Sequence, residues 1–252
     1  MSEAIILPTR KDEAWRYSDT DALAGMDLGT LDNWRAIDVA AGESFSETFV
    51  LDGSEGVELT RLRVKIGAGA TAALFAVVAG GDLGRLEVVV ILAEGAHFEL
   101  GGVVLGGRET TREIVTRIAH EEPDATSNQV VRAVAWGKAT GNFLGRIDVV
   151  RDAQRTDAAQ SFKGLLLERG ASVNSVPQLE IFADDVKCEH GAAIGQLDEQ
   201  ARYYMAARGI GPDAARRLLV QAFLGDAFVA MEDEEARERM TAIALEKLEG
   251  EL

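Results

Sequence analysis

A cysteine and a histidine two residues apart are the side chains of this chain best suited to chemistry. They are Cys188 and His190, within the segment 177–195, and the chain has one cysteine and three histidines in all. The residues that open this segment alternate between apolar and polar, which is typical of a β-strand, so residues two apart would project from one face. Thiolate and imidazole suit iron, zinc or copper. The spacing therefore predicts a metal-binding pair on one strand face.

This pair supplies only half of a metal site. Structural sites with such ligands usually take four protein ligands, and no C-x-x-C or H-x-x-x-H spacing nearby completes the set. A metal bound here would need ligands from far along the chain or from another subunit. Two other readings stay open: a small buried cysteine, and a surface histidine beside the acids Asp184 and Asp185. The charged run 184–190 argues against burial.

The overall composition indicates a globular protein with an acidic surface. The chain has 252 residues, of which 47% are hydrophobic and 27% charged, and its net charge is −16. That charge disfavours the phosphates of nucleic acid and an anionic membrane surface. One cysteine cannot form an internal disulfide, and the apolar runs are too short for a signal peptide or a membrane span. We therefore expect a cytoplasmic protein that binds neither nucleic acid nor membrane.

Short β-rich runs follow one another between residues 49 and 183, each bounded by Gly, Asp, Asn or Ser. Gly-Ala pairs recur at turn positions, as at 69–70 and 95–96. Such a pattern is typical of a sandwich, a barrel or a β-solenoid, and the repeated turns slightly favour a parallel β-helix. We expect little regular structure over 26–48. The chain thus divides into three predicted regions: an N-terminal arm with short helices at 1–48, a parallel β-helix core at 49–195 and a C-terminal α-helical subdomain at 196–252.

The two ends of the chain carry helical signals. In the arm, Thr9 and Ser18 each precede acidic residues as helix starts do, and Trp15 and Tyr17 are packing aromatics. Beyond residue 195 the apolar spacing becomes helical, with Gly209 as a stop. We expect these C-terminal helices to pack on the end of the solenoid and to expose arginines that could face a partner. The apolar stripe of the last predicted helix, over 234–249, consists of Met240, Ile243, Ala244 and Leu248.

Catalytic motifs are not evident in the sequence. It has no G-x-x-x-x-G-K-[ST] phosphate loop and no G-x-S-x-G elbow. Cys188 and His190 lack an orienting Asn or Asp, so they make a poor nucleophile and base. Asp184 and Asp185 would point to opposite faces of a strand and could not share one glycosidic bond. The chain is therefore predicted not to be an enzyme.

Three segments resemble the SufB/SufD family of iron–sulfur cluster assembly scaffold proteins. They are LPTRKDEAWRYSDTDAL at 7–23, the block at 143–198 that contains ADDVKCEHGA, and QARYYMAARGIGPDAARRLLVQAFLGDAF at 200–228. Glu189, between the cysteine and the histidine, is closer to the SufB pattern. Gly191 and the presence of a single cysteine favour the SufD branch.

This resemblance implies a right-handed parallel β-helix with helical ends, and a non-catalytic scaffold. It implies pairing with a SufB-like paralogue through the β-helix, and binding of a SufC-like ABC-type ATPase through the C-terminal helices, whose R-G-I turn is Arg208, Gly209 and Ile210. An iron–sulfur cluster would form transiently at the paralogue interface, where Cys188 and His190 would act only together with partner-chain ligands. The chain alone would hold no cofactor stably and could form a homodimer in isolation. Alternatives are a SufB-like paralogue, an independent β-solenoid enzyme and a stand-alone metal-binding protein.

Overall fold

The computed structural model describes residues 7–249, and over this range the chain winds into a parallel β-solenoid of six coils. One sheet has the strand order β1-β3-β5-β7-β9-β11 and the other β12-β10-β8-β6-β4-β2. Each coil places one strand in each sheet, so the predicted mainly β, parallel solenoid is confirmed. The strands are β1 Arg35–Val39, β2 Ser44–Leu51, β3 Val57–Ile66, β4 Thr71–Val78, β5 Leu83–Leu92, β6 His97–Gly106, β7 Thr111–His120, β8 Thr126–Ala135, β9 Thr140–Val149, β10 Asp157–Leu166, β11 Ser172–Ile181 and β12 Lys187–Gly195.

The coils stay aligned because their turns stack on one another. Gly69 and Gly95, two of the predicted turn glycines, both have a φ of +64°. Glycine adopts this left-handed conformation without the steric cost that a Cβ imposes. The amide of Gly69 donates to the carbonyl of Glu94 in the next turn, at 2.8 Å. Turn chemistry therefore supports the in-register pairing of the strands.

Inward-facing apolar side chains form a continuous core along the solenoid. In β4, for example, Leu74, Ala76 and Val78 face this core. Near the last coils the rings of Phe143 and Phe162 stack across the interior, with centroids 5.6 Å apart and an interplanar angle of 7°. Burial of this apolar surface is the main force that closes the two sheets on each other.

The solenoid begins earlier than predicted, and the expectation of little regular structure over 26–48 is wrong. Strand β1 pairs with β3, and β2 pairs with β4. In β2 exposed and half-buried residues alternate, with Phe45 and Phe49 packed on the core. Because β1 and β2 form the first coil, no other coil of the described residues packs against their outer side. Their sequences are therefore too polar to stand out as strands.

The arm covers the outer face of the odd-numbered sheet. It contains two short 3₁₀ turns, Glu13–Trp15 and Thr20–Leu23, and the one-turn helix α1, Leu28–Leu31. Trp15 and Leu23 pack with Leu83 of the sheet. Ser18 does not cap a helix as predicted, because its side chain is buried and donates to a carboxylate of the solenoid.

The C-terminal helices lie on the outer face of the even-numbered sheet, not on the end of the solenoid as predicted. They are α2 Glu199–Ala206, α3 Pro212–Gly225 and α4 Glu234–Glu249, with a 3₁₀ turn at Asp226–Phe228. The outward residues of the middle strands are apolar, as in a sheet that is buried on both faces. Helices on the end of the solenoid would leave these residues exposed, so the helices pack on the side. Among residues 7–249, no helix is long and apolar enough to cross a membrane. The packed cluster includes Phe75, Val103, Val134 and Trp136 of the sheet with Val220, Leu224, Phe228, Met240, Ala244 and Leu248 of the helices.

Candidate functional site

Cys188 and His190 lie on β12, the last strand of the even-numbered sheet. In register with β10, Cys188 aligns with Ala158 and His190 with Gln160. Ala158 belongs to the core, and Cys188 packs against that core. Because side chains alternate along a strand, His190 projects from the same inward face. The predicted shared face is confirmed, and the tertiary structure adds that it is the interior face at one end of the solenoid.

The thiol of Cys188 is half-buried in this position. Burial raises its pKa, the nearby Asp157 carboxylate raises it further, and a backbone hydrogen bond from Ala158 partly opposes both. A thiol with a raised pKa stays protonated near neutral pH and is a poor nucleophile. In the free chain Cys188 is therefore a neutral thiol near neutral pH.

The last coil, formed by β11 and β12, is uncovered in the part of the chain that the structure describes, and we call it the end face. Both strands are the outermost of their sheets. His190 is exposed there, and so is the apolar Ile194, at 48%. Ile181 and Phe182 expose further apolar surface at the end of β11. Unpaired strand edges with exposed apolar side chains are typical of surfaces that bind another chain.

Two candidate metal ligands, Cys188 and His190, lie on the end face. Between residues 7 and 249, no three His, Cys, Asp or Glu side chains are grouped closely enough to hold a metal ion. Cys188 and His190 offer one sulfur and one ring nitrogen, a donor pair suited to iron.

The turn of Arg208, Gly209 and Ile210 ends α2 in the predicted way. Gly209 has a φ of +78°, and the amide of Ile210 donates back to the carbonyl of Met205 at 3.2 Å. This is the usual role of glycine after a helix. The Arg208 guanidinium stacks on the ring of Tyr204, 3.4 Å from its centroid. The turn is therefore part of the helical subdomain, on elements other than the strand that carries Cys188 and His190.

Helix α2 exposes aromatic surface beside this turn. None of its residues is buried, and Tyr203 is 80% exposed. In α3, Leu218 is exposed as well, whereas Ala215, Val220 and Leu224 are buried. A helix with exposed tyrosines and a nearby arginine has the composition of a protein-binding surface.

A buried charged network lies under the arm, and the sequence patterns do not predict it. Arg85 and Glu113 are both fully buried, with Nη1 and Oε1 2.6 Å apart. The Ser18 hydroxyl donates to Glu113 at 2.6 Å, and the Arg85 guanidinium lies 3.8 Å from the centre of the Trp15 ring. The only signal in the sequence is a charged residue at an outward position of a strongly apolar strand. This network attaches the arm to the solenoid.

Polar side chains inside the solenoid are a second feature that the sequence patterns do not predict. Gln129 and Gln160 occupy inward positions of β8 and β10 and are buried. A glutamine between small or apolar inward residues is the sequence signal that indicates such a buried polar side chain. They lie in register with His190, so the interior behind the end face is polar at that level.

A cleft of about 440 Å³ separates the arm from the outer face of the odd-numbered sheet. Its carboxylates, Glu13 and Glu87, come from the arm and from β5 rather than from facing positions of adjacent coils. Glu87 is paired with Arg61 and Arg85, and Glu13 accepts from Gln178. This arrangement offers no free pair of carboxylates of the kind that the alternative of a solenoid enzyme requires.

Comparison with known proteins places this geometry in a family. The profile described as "SUF system FeS cluster assembly, SufBD core domain" matches residues 24–223. Protein ABCI7, chloroplastic, of Arabidopsis thaliana is 38% identical over 168 residues, which cover 66% of this chain and 35% of that relative. The iron–sulfur cluster assembly protein SufD of Escherichia coli is 33% identical over 135 residues, or 54% of this chain and 32% of the relative.

A longer match is the SufBD family protein Mb1497 of Mycobacterium bovis, 30% identical over 202 residues, which cover 77% of this chain and 51% of the relative. The chain thus spans about a third to a half of the length of these relatives. The region matched by the family profile contains all twelve strands that the structure describes, together with α2. This chain therefore belongs to the SufBD core-domain family of the SUF iron–sulfur cluster assembly system.

Proposed function

We propose that this chain is a non-catalytic scaffold subunit in SUF iron–sulfur cluster assembly. The observation that carries the proposal is the position of Cys188 and His190, side by side on the inward face of an uncovered terminal strand. Family membership supports the assembly system, and relatives named SufD support the branch. The engaged carboxylates of the arm cleft favour a scaffold over an independent enzyme.

The end face would bind a SufB-like paralogue. A partner solenoid can extend both sheets by adding its own strands to β11 and β12, whose outer edges are unpaired within residues 7–249. Ile181 and Ile194 would supply the apolar contact. In isolation the same surface would let two copies of this chain form a homodimer.

The cluster would be cargo at this interface. Cys188 would contribute a thiolate after losing its proton to solvent or to a partner base, and His190 would contribute a neutral ring nitrogen. The partner would supply the remaining ligands. Because each chain holds only part of the set, the cluster is bound while the two chains are together and can leave when they separate. No cofactor is then held stably by this chain alone.

The C-terminal helices would bind a SufC-like ABC-type ATPase. The exposed Tyr203 and Tyr204 and the stacked Arg208 are residue types that dominate binding energy in interfaces. Gly209 and Ile210 fix the direction in which α3 leaves α2. ATP hydrolysis in that partner would move the helices and, through the sheet on which they pack, the end face.

The test of pairing is co-expression with SufB-like and SufC-like proteins, followed by size-exclusion chromatography with mass determination. We expect one species that contains all three chains. Ile194→Asp should remove the SufB-like chain, because it places a charge in an apolar contact. Val50→Asp, an exposed apolar position of the opposite end coil, is the matched control and should leave the complex intact. Equal behaviour of both variants, or elution of the unaltered chain alone, would refute the proposed interface.

The test of the ligands uses complexes that still assemble. His190→Ala should leave the complex intact and lower the iron and sulfide bound per complex at least severalfold. His97→Ala, which removes the partly exposed histidine of β6, is the control and should bind as much as the unaltered complex. Undiminished iron and sulfide in His190→Ala would remove that residue from the ligand set.

Tyr203→Ala should weaken only the ATPase association.

A further inference from the structure

One level of the solenoid interior carries polar side chains on the even-numbered sheet in its last three coils, and the apolar Val131 and Phe162 lie beside it. The strand registers align three inward-facing residues of each sheet at this level. On the even-numbered sheet they are Gln129, Gln160 and His190, and on the odd-numbered sheet Thr116, Gly145 and Pro177.

In the first of these coils, formed by β7 and β8, a hydrogen bond joins two side chains across the interior. The Thr116 hydroxyl donates across the interior to Oε1 of Gln129 at 2.6 Å. In the next coil a glycine, Gly145, stands where Thr116 stood. A Cβ on Gly145 would lie 2.3 Å from Oε1 of Gln160. The Gln160 side chain therefore extends across the interior into space that only a glycine leaves open.

The amide of Gln160 is buried without a partner. The residue is 3% exposed, and neither its Oε1 nor its Nε2 has a hydrogen-bond partner among the described residues. Buried amide groups that lack partners are costly, so such a group needs an explanation. Along the stack, the polar side chains on either side of Gln160 are Gln129 and His190.

We propose that Gln160 is a positioning residue for His190. Its carbonyl accepts the N–H of the inward-facing ring nitrogen, and its amino group donates to Oε1 of Gln129, which accepts from Thr116 and has a second lone pair. Adjacent strands are about 4.8 Å apart, so rotation about the side-chain torsions of Gln160 and His190 brings the amide and the ring within hydrogen-bond distance. The bond selects one neutral tautomer and leaves the other ring nitrogen unprotonated toward the end face.

An orienting partner of this kind is what a histidine ligand requires. Histidines that bind metals usually donate their second ring N–H to a carbonyl or carboxylate, which fixes the tautomer and the ring plane. The use of His190 as a ligand rests on the proposed function. The hydrogen bond from His190 to Gln160 is a property of this chain alone and can be tested without any cluster.

The test is ¹⁵N NMR of the histidine rings in the full isolated chain, at a pH well above the ordinary imidazole pKa. The chain has three histidines, and His190→Ala identifies the resonances of interest. We expect one dominant tautomer of His190. Gln160→Met, which keeps the volume and removes the amide, should change the tautomer ratio about fivefold, equivalent to about 1 kcal/mol of hydrogen bonding. Gln129→Met, one coil deeper, should change it less than about twofold.

A second measurement, made on the unaltered chain, tests the proposal even if Gln160→Met does not fold. In the unaltered chain the inward ring N–H of His190 should be protected from exchange with water. A ring N–H that exchanges as fast as in free imidazole, or an unchanged tautomer ratio in a folded Gln160→Met, overturns the positioning role. Normal iron binding by His190→Ala would instead remove His190 from the proposed ligand set and leave the hydrogen bond standing. In the assembled complex, Gln160→Met should lower bound iron without loss of partners.

Discussion

Removal of the negative charge of Glu113 should destabilise the protein, because the buried carboxylate is the partner of the buried Arg85 guanidinium. Its carboxylate is fully buried 2.6 Å from the Arg85 guanidinium, and it accepts hydrogen bonds from Ser18 and Asn142 at 2.6 and 3.1 Å. Glu113→Gln keeps the size of the side chain. It replaces one acceptor oxygen by an NH₂ donor that faces other donors, and it leaves the Arg85 cation in the interior with Glu87, at 3.1 Å, as its remaining acidic partner.

The size of the effect follows from this arrangement. Breaking one half of a buried ion pair costs about 3 to 5 kcal/mol, because the other charge stays buried without compensation. Glu87 still neutralises part of the Arg85 charge but is shared with Arg61, so we expect the lower end, about 3 kcal/mol. For a chain of this size, about 2 to 4 °C is lost per kcal/mol, so the unfolding midpoint should fall by roughly 6 to 12 °C.

The assay is thermal unfolding followed by circular dichroism, with limited proteolysis of the arm as a second readout. Asp124→Asn is the matched control, because it also removes a carboxylate charge from an arginine pair. The Asp124 and Arg155 side chains are 41% and 57% exposed, and asparagine tolerates the φ of +62° at that position. The control should barely move the midpoint. A shift of less than about 2 °C in Glu113→Gln would show that the network does not stabilise the fold as argued.

Two further predictions concern the interior and the helical subdomain. Burial lowers the pKa of His120 to about 4. Its usual value in an unfolded chain, near 6.5, is higher, so its contribution is complete above about pH 6.5 and falls by up to roughly 3 kcal/mol toward pH 4. Urea unfolding of His120→Gln between pH 7 and 4 should show a flatter decline, and equal slopes would contradict this. Gly101→Ala would place a Cβ 2.1 Å from the carbonyl oxygen of Ala227, so it should cost about 1 to 3 kcal/mol and loosen the helices, as measured by hydrogen exchange. Gly191→Ala, with open space around its Cβ, should be neutral, and equal protection of the helices in both variants would contradict the packing argument.

The sequence predicts the β-rich part of the fold because the inner strands are rich in apolar and β-branched residues. The short β-rich runs predict strands between residues 49 and 183, and β3 to β11 lie within these bounds. In β6 the inward residues Phe98 and Leu100 and the outward residues Val103 and Leu105 are all apolar and buried. The stop at Gly209 and the helix α4 at Glu234–Glu249 follow equally from local rules. Where burial is partial, as in β1 and β2, the pattern weakens and does not predict the strands.

The candidate site was predictable only in part. The period of a strand is enough to place Cys188 and His190 on one face, and the surrounding segment is enough to indicate the family. Which face this is, inside or outside, depends on the core position of Ala158 in the neighbouring strand, 30 residues earlier in the chain. The exposure of His190 depends on β12 being the terminal strand of its sheet.

By itself the sequence determined the period of the strands, the turns, the helix ends and the pairing of a thiol with an imidazole, because each of these depends on residues close together in the chain. Only the tertiary structure decided that the helices cover the side of the solenoid, that Arg85 meets Glu113, and that Gln160 lies behind His190 over Gly145. These contacts join residues about 15 to 30 positions or more apart, and they depend on how successive coils stack. The stacking register is set by the whole core, so no local pattern could reveal it.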